Sequence, residues 1–261
     1  DFVFGEVLKT GLEALGRHHG TTPHATFLAG WAALLARLSG QDDVVVGTAM
    51  PVSGSSVAAG ADEPSAGEFA VRLDLSSQPS VAELLDRARK CMLDACGNSD
   101  ISLDRIVELA GSTRSPSHHP VFQTRLVSER GDECRETGPS ICPREGVGCD
   151  LVVSIRTCGG KVMGRLFYAT ALFKQDTAER IVESYRLLLE GMAADEKARI
   201  THLPILSDSE RRLVIETWNA TDTPRSSDRC IHELFEERVA RNPDAVAVAF
   251  GDGTLTYGEL N

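Results

Sequence analysis

Residues 25–54 read ATFLAGWAALLARLSGQDDVVVGTAMPVSG, and their pattern decides the fold class. Phe27, Leu28, Trp31, Leu34, Leu35 and Leu38 recur at steps of three and four, the period of a helix with one broad apolar stripe to lay on a sheet. Both ends of that helix are specified. Thr21 or Thr22 can cap it ahead of Pro23, Arg37 suits its negative C-terminal end, and Gly40 can take the left-handed conformation that stops it. After the polar turn Gln41-Asp42-Asp43, the β-branched run Val44-Val45-Val46 predicts a strand buried on both faces. Gly47-Thr48 is expected to end it in a loop carrying Pro51 and Gly54.

Working outward, the chain alternates strand-like and helix-like segments, which predicts an α/β fold. Residues 1–17 predict an entering helix, with Val7, Leu8, Leu12 and Leu15 as its apolar positions. Residues 53–68 are small and polar and read as a long loop, and residues 67–75 read as a strand. Ser80 is placed to cap a helix over 81–94, and a second short helix follows near 101–107. Strands are predicted at 122–127, 149–155 and 162–168, the last two joined by a turn at Gly159-Gly160. Residues 128–148 form a surface excursion. Asp176 is expected to cap a helix running to about Met192, on which Ile181, Val182, Tyr185, Leu188 and Leu189 face the core.

The net charge of −11 and a pI near 5.1 argue against general nucleic-acid binding, because phosphate contacts need a basic surface. No apolar run approaches the roughly 20 residues of a membrane span, and residues 1–11 lack a signal-peptide pattern, so a cytoplasmic place is expected, with no membrane partner. The seven cysteines, Cys91, Cys96, Cys134, Cys142, Cys149, Cys158 and Cys230, are odd in number and irregularly spaced, which predicts reduced thiols rather than a disulfide framework or a zinc site. His18-His19 with His24 is expected to bind no metal, since neighbouring side chains on a turn point apart and no carboxylate stands at ligand spacing.

The stretch LLARLSGQDDVVVGT, followed by a Pro and a Gly, resembles the start of the C-terminal half of condensation domains in nonribosomal peptide synthetases. Further places resemble the same family in order. Gly67, Phe69, Leu73 and Leu75 follow its GFFVNTLVLR strand, with Val71 and Arg72 where Asn and Thr are usual. Residues 100–107 are similar to DLPFEKLV, with Ser102 for Pro. Arg114, Ser117, Pro120, Phe122 and Gln123 stand in register with RDxSRxPLFQ, while Ser115 and His118 depart from it. The pair His118-His119 reads as a polar turn before a strand rather than as a proton-transfer group. Residues 149–155 resemble FDLxLxL with Cys149 for the aromatic, and residues 168–173 resemble YxTxLF, with Phe167 and Ala171 for acidic residues. Ile205-Leu206, the helix from Glu210 to Leu213, and Trp218, Asn219 and Thr221 resemble DLPLL, ERxxLL and WNxT of the linker to an adenylation domain. Leu255, Thr256, Tyr257, Glu259 and Leu260 resemble LTYxEL, the first adenylation motif.

The resemblance implies a chloramphenicol-acetyltransferase-like two-layer α/β sandwich, one half of the condensation-domain pseudo-dimer, with a short fragment of a second domain. It implies the boundaries 1–205 for the C-terminal subdomain, 206–228 for the linker and 229–261 for the N-terminal fragment of the adenylation domain. The tunnel and crossover positions it implies are Val46, Gly47, Thr48, Gly67, Phe69, Pro120, Phe122 and Gln123. It assigns no catalytic, cofactor or metal residue, because His18-His19 runs on as GTTPH and so lacks the Asp and Gly of the catalytic HHxxxDG, and because the phosphate-gripping adenylation loop would follow residue 261. The parent would act on phosphopantetheine-tethered substrates and use ATP, with peptidyl and aminoacyl carrier proteins, the N-terminal half of the condensation domain and the rest of the adenylation domain as partners. The alternative is a non-catalytic platform that docks carrier proteins. A self-sufficient acetyltransferase would need its own HHxxxDG.

Overall fold

The computed structural model describes residues 1–51, 66–98, 101–109, 111, 119–128, 148–221 and 230–261. They divide into two compact units, Asp1–Arg211 and Arg212–Asn261. The expected loop around Gly54, the 114–118 motif positions including Arg114, Ser115, Ser117 and His118, and most of the 128–148 excursion lie outside the described residues.

The first unit runs β1 (Phe2–Phe4), α1 (Glu6–His18), α2 (Pro23–Ser39), β2 (Asp43–Pro51), β3 (Ala66–Asp74), α3 (Val81–Gly97), α4 (Leu103–Leu109), β4 (Thr124–Ser128), β5 (Leu151–Cys158), β6 (Lys161–Tyr168) and α5 (Gln175–Ala194), with α6 (Asp208–Arg212) at its end. The strands form one sheet in the order β1-β6-β5-β4-β2-β3. β4 lies parallel to both β2 and β5, and the other three pairs are antiparallel. Alternation along the strands sends Val44, Val46, Val71, Leu73, Leu126, Val153, Ile155 and Val162 into one core with α1, α2, α3 and α5.

Helix α2 is the centre of that core. Thr22 caps it, its side chain accepting from Ala25 N–H at 3.2 Å, and Gly40 ends it at φ 70°. Such a cap contributes about 1 kcal/mol. The expected single stripe is too narrow a description: Phe27 through Leu34 are all buried, and Leu38, placed in the stripe, is 52% exposed. Helices α3 and α5 cover the flanks that the sheet leaves free. Trp31 Nε1 donates to Thr124 Oγ1 at 3.3 Å, and the buried Tyr185 hydroxyl donates to Phe27 O at 2.7 Å. Both polar ends of these large side chains are thereby satisfied. Arg37 does more than face a helix end, since its guanidinium donates to Ile200 O and Leu203 O at 2.9 and 3.1 Å.

Several local expectations change. Residues 2–4 form an edge strand ahead of α1, because Phe2, Val3 and Phe4 find partners on β6, and Val7 is exposed. Strand β2 does not end at Gly47-Thr48 but continues to Pro51, since these two residues pair with Ala70 and Phe69 on one side and with Arg125 and Leu126 on the other. Val45 is half-buried, so the valine run of β2 is fully covered on its helix side alone. Lys174 rather than Asp176 takes the cap position of α5, leaving Asp176 in the first turn. Cys158 is disulfide-bonded, against the expectation of reduced thiols; irregular spacing in sequence does not report which thiols meet in space. Ser80 caps α3 in a reciprocal pair with Glu83, and Gly159 and Gly160, at φ 56° and 79°, make the β5–β6 turn.

The second unit begins with one π-helical turn, Leu213–Thr217, and continues as α7 (Ile231–Arg241), β7 (Val246–Phe250), β8 (Gly253–Thr256) and α8 (Tyr257–Leu260). The two strands pair antiparallel. None of its described residues is buried.

Candidate functional site

The sheet face turned away from the helices carries charge. Arg72 holds Asp43 through contacts of 2.6 to 3.0 Å, Arg165 Nε reaches Asp1 at 2.5 Å, and Arg125 Nη1 lies 2.8 Å from Glu68. The third pair is the most enclosed, with the Arg125 side chain 13% exposed and its Nε buried without a hydrogen-bond acceptor among the described residues. A buried guanidinium N–H left unpaired is costly, which marks this place as unusual.

Residues 119–123 lie alongside residues 148–151 at this end of the sheet. His119 N–H donates to Gly148 O at 2.9 Å, and the Asp150 and Leu151 N–H groups donate to Gln123 O. His119 Nδ1 accepts from the Val121 and Phe122 N–H groups at 3.3 and 3.2 Å, and its ring stacks on Phe122 with centroids 4.0 Å apart. With Nδ1 committed as an acceptor, the proton sits on Nε2, and burial lowers the pKa of this imidazole further. His119 therefore builds the turn. Phe122, almost fully buried, lies over Gly47, where a Cβ would stand 2.3 Å from its Cε2.

On the helix side of the same strands, His24 Nδ1 is 2.7 Å from Ser128 Oγ and Nε2 is 2.8 Å from Thr48 Oγ1. Thr48 Oγ1 gives its own proton to Leu126 O at 2.8 Å, so Nε2–H donates to Thr48 and Ser128 donates to Nδ1. The imidazole is neutral, and burial pushes its pKa down to about 4. This is a weak base whose far nitrogen meets a hydroxyl rather than a carboxylate, so it does not activate Ser128 as a nucleophile. Burial also pushes the Cys149 thiol up to about 11, which keeps it protonated and unreactive.

The expected tunnel and crossover residues divide between these places. Thr48 pairs with Phe69 in the β2–β3 ladder, Gly67 pairs with Met50, and Phe122 covers Gly47. Val46 points into the helix-side core, Pro120 is half-buried, and Gln123 is exposed with its side-chain amide on His119 O. Val71 is 1% exposed in the helix-side core and Arg72 is committed to Asp43. Arg125, its partner Glu68 and the roles of His24 and Ser128 were not expected from sequence. A charged residue set inside an apolar strand, as Arg125 is between Thr124 and Leu126, was the available signal.

In the second unit Trp218 is exposed and Asn219 closes the π-helical turn, its amide donating to Val214 O and Ile215 O. Thr221 N–H donates to Asn219 O at 2.7 Å. Thr256 caps α8 in a reciprocal pair with Glu259, and Tyr257 packs against Phe235 with centroids 5.7 Å apart. Leu255 and Leu260 remain 46% and 45% exposed.

Both grounds for expecting no metal are corrected: the His18 and His19 rings do not point apart but lie with centroids 4.9 Å apart, and the turn after α5 brings them a carboxylate, Glu196.

This arrangement of sheet, helices and buried pairs is that of an α/β sandwich of the acetyltransferase-like kind. The condensation-domain family matches residues 1–215. The chain is 36% identical over 260 residues to malpinin synthetase of Mortierella alpina, covering 97% of this chain and 3% of that protein. It is 32% identical over 270 residues to gramicidin S synthase 2 of Aneurinibacillus migulanus, covering 100% of this chain and 6% of that one. The chain thus spans only a few per cent of the length of these relatives. Among solved structures, a four-domain nonribosomal peptide synthetase bound to AMP and glycine superposes with a TM-score of 0.81 at 21% identity, over 99% of this chain and 21% of that one. The X-domain from teicoplanin biosynthesis superposes with a TM-score of 0.67 at 26% identity, over 78% of this chain and 48% of that one. The chain belongs to the condensation-domain family of nonribosomal peptide synthetases. No helix among its described residues is long and apolar enough to cross a membrane.

Proposed function

We propose that this chain supplies the C-terminal half of a peptide-bond-forming condensation domain, with residues 206–228 as the linker and 229–261 as the start of an adenylation domain. In the parent, the amine of a carrier-bound aminoacyl group attacks the thioester carbonyl of a donor on a second carrier. A C–N bond forms, the C–S bond breaks, the phosphopantetheine sulfur leaves as a thiolate, and the proton lost by the amine converts it to the thiol. The catalytic histidine belongs to the other half; the residues described here build and stiffen one wall. Carrier proteins, the N-terminal half and the remaining adenylation domain are its partners, ATP serves that last domain, and the setting is cytoplasmic.

The observation that carries this reading is the seating of Phe122 over Gly47. It joins the two stretches whose resemblance to the family is most specific, although they are far apart in sequence. Assaying the parent polypeptide with donor and acceptor carriers, each loaded with an aminoacyl thioester, is expected to yield a dipeptidyl product by mass spectrometry. The isolated chain is expected to yield none above the uncatalysed background, and turnover by it would remove the half-domain reading.

A non-catalytic docking platform is favoured by one feature. Val71 and Arg72 occupy the places where the family carries Asn and Thr, and the structure commits one to the core and the other to Asp43. Carrier binding by the parent without product would decide for the platform.

A further inference from the structure

Helices α1 and α5 pack closely enough that a Cβ on Gly11 would lie 3.1 Å from Ala193 Cβ, and this brings the C-terminal end of α1 to the turn that follows α5. There His18, the last residue of α1, and His19, its C-cap, turn their imidazoles toward one carboxylate. Glu196 Oε2 lies 3.7 Å from His18 Nε2 and 3.0 Å from His19 Nε2, and all three ligand atoms fall within 4.8 Å of one another.

We propose that His18, His19 and Glu196 form a binding site for a zinc-class divalent cation that clasps the end of α1 to the segment after α5. Bonds of about 2.0 to 2.2 Å from zinc to imidazole nitrogen and carboxylate oxygen put tetrahedral ligand atoms roughly 3.4 Å apart. The two distances to the carboxylate straddle that value, all three ligand atoms lie within 4.8 Å of one another, and His18, with 68% of its side chain exposed, is free to close the longer contact. Two imidazoles and one carboxylate suit zinc, cobalt, nickel or copper and not magnesium or calcium, which take oxygen ligands. The partial negative charge at a helix C-terminus adds attraction for a cation.

The backbone that carries the ligands is held before any ion arrives. His19 N–H donates to Leu15 O at 3.2 Å, and Thr21 N–H to Gly16 O at 2.8 Å. On the other side, Glu196 O accepts from Ala82 N–H at 2.9 Å and Ala198 O from Val81 N–H at 3.0 Å, so the start of α3 fixes the turn. Side-chain rotation therefore suffices to close the site. Three protein ligands leave a fourth position for water.

The test uses the full chain, stripped with a chelator, with accessible thiols alkylated so that cysteines cannot compete. Titration with zinc chloride by calorimetry is expected to show one equivalent bound, with a rise in melting temperature that magnesium chloride does not give. His18→Ala and Glu196→Gln, both at partly exposed side chains, are expected to weaken binding about tenfold or more each. Cobalt(II) is expected to give visible d–d bands without a thiolate charge-transfer band. Absence of stoichiometric binding, unchanged affinity in both variants, or a thiolate band would each overturn the proposal and leave His19 and Glu196 as a simple hydrogen-bonded pair.

Discussion

The ring of Phe122 lies across Gly47 so closely that no larger residue fits there: a Cβ at Gly47 would meet Cε2, Cδ2 and Cζ at 2.3 to 2.6 Å. Glycine is required at this place for space, since the backbone of β2 runs on as ordinary strand.

Gly47→Ala is accordingly expected to destabilise the first unit by about 1 to 3 kcal/mol, the usual range for overpacking a filled core. A urea melt of the full chain measures it. Combining it with Phe122→Leu is expected to recover part of the loss, because the two residues share one contact. Simple additivity in the double variant would mean that the ring moves aside freely.

Glu68 is the countercharge of Arg125, whose Nε already has no acceptor among the described residues. Glu68→Gln leaves that guanidinium enclosed without compensation and is expected to cost about 1 to 3 kcal/mol, below the figure for a fully buried pair because Glu68 is about a third exposed. Arg125→Met in the Glu68→Gln background is expected to restore most of the loss. Stability unchanged in Glu68→Gln would show that solvent screens the pair.

His24 ties stability to pH. Its folded pKa, about 4, lies below the ordinary 6.5, so the unfolded chain binds the extra proton between those values. The contribution is complete above pH 6.5 and is lost as pH falls toward 4, by about 2 to 3 kcal/mol. Denaturant midpoints from pH 4 to 7 are expected to rise less steeply in His24→Ala than in the parent sequence. Parallel profiles would mean that the imidazole is open to water.

In the second unit Ile231 and Phe250 are 86% and 90% exposed, and no described residue there is buried. At this size a core seldom offsets chain entropy. Hydrogen exchange is expected to be fast across β7 and β8 and slow in β4 and β5. Equal protection of Val246–Phe250 and of the central strands would contradict this.

The face of the sheet opposite the helices bears on assembly. A bare apolar surface there would aggregate. Instead the described strands present Arg72, Arg125 and Arg165 there, each with a carboxylate partner.

What could be read without coordinates is whatever closes over a few residues. The ends of α2 at Thr22 and Gly40, the paired caps Ser80 with Glu83 and Thr256 with Glu259, and the Gly159-Gly160 turn all satisfy their backbone groups from near neighbours, so residue type and spacing suffice. Resemblance to a family added the order of the strands' motifs but not their contacts. Tertiary structure alone decided that residues 2–4 become a strand, that the middle of α2 is buried all round, that Gly47 exists to admit Phe122, that Arg125 needs Glu68, and that His19 meets a carboxylate 177 residues away. Each of these depends on groups brought together by packing of the whole sheet and its helices, and no local period or propensity carries the address of a distant partner.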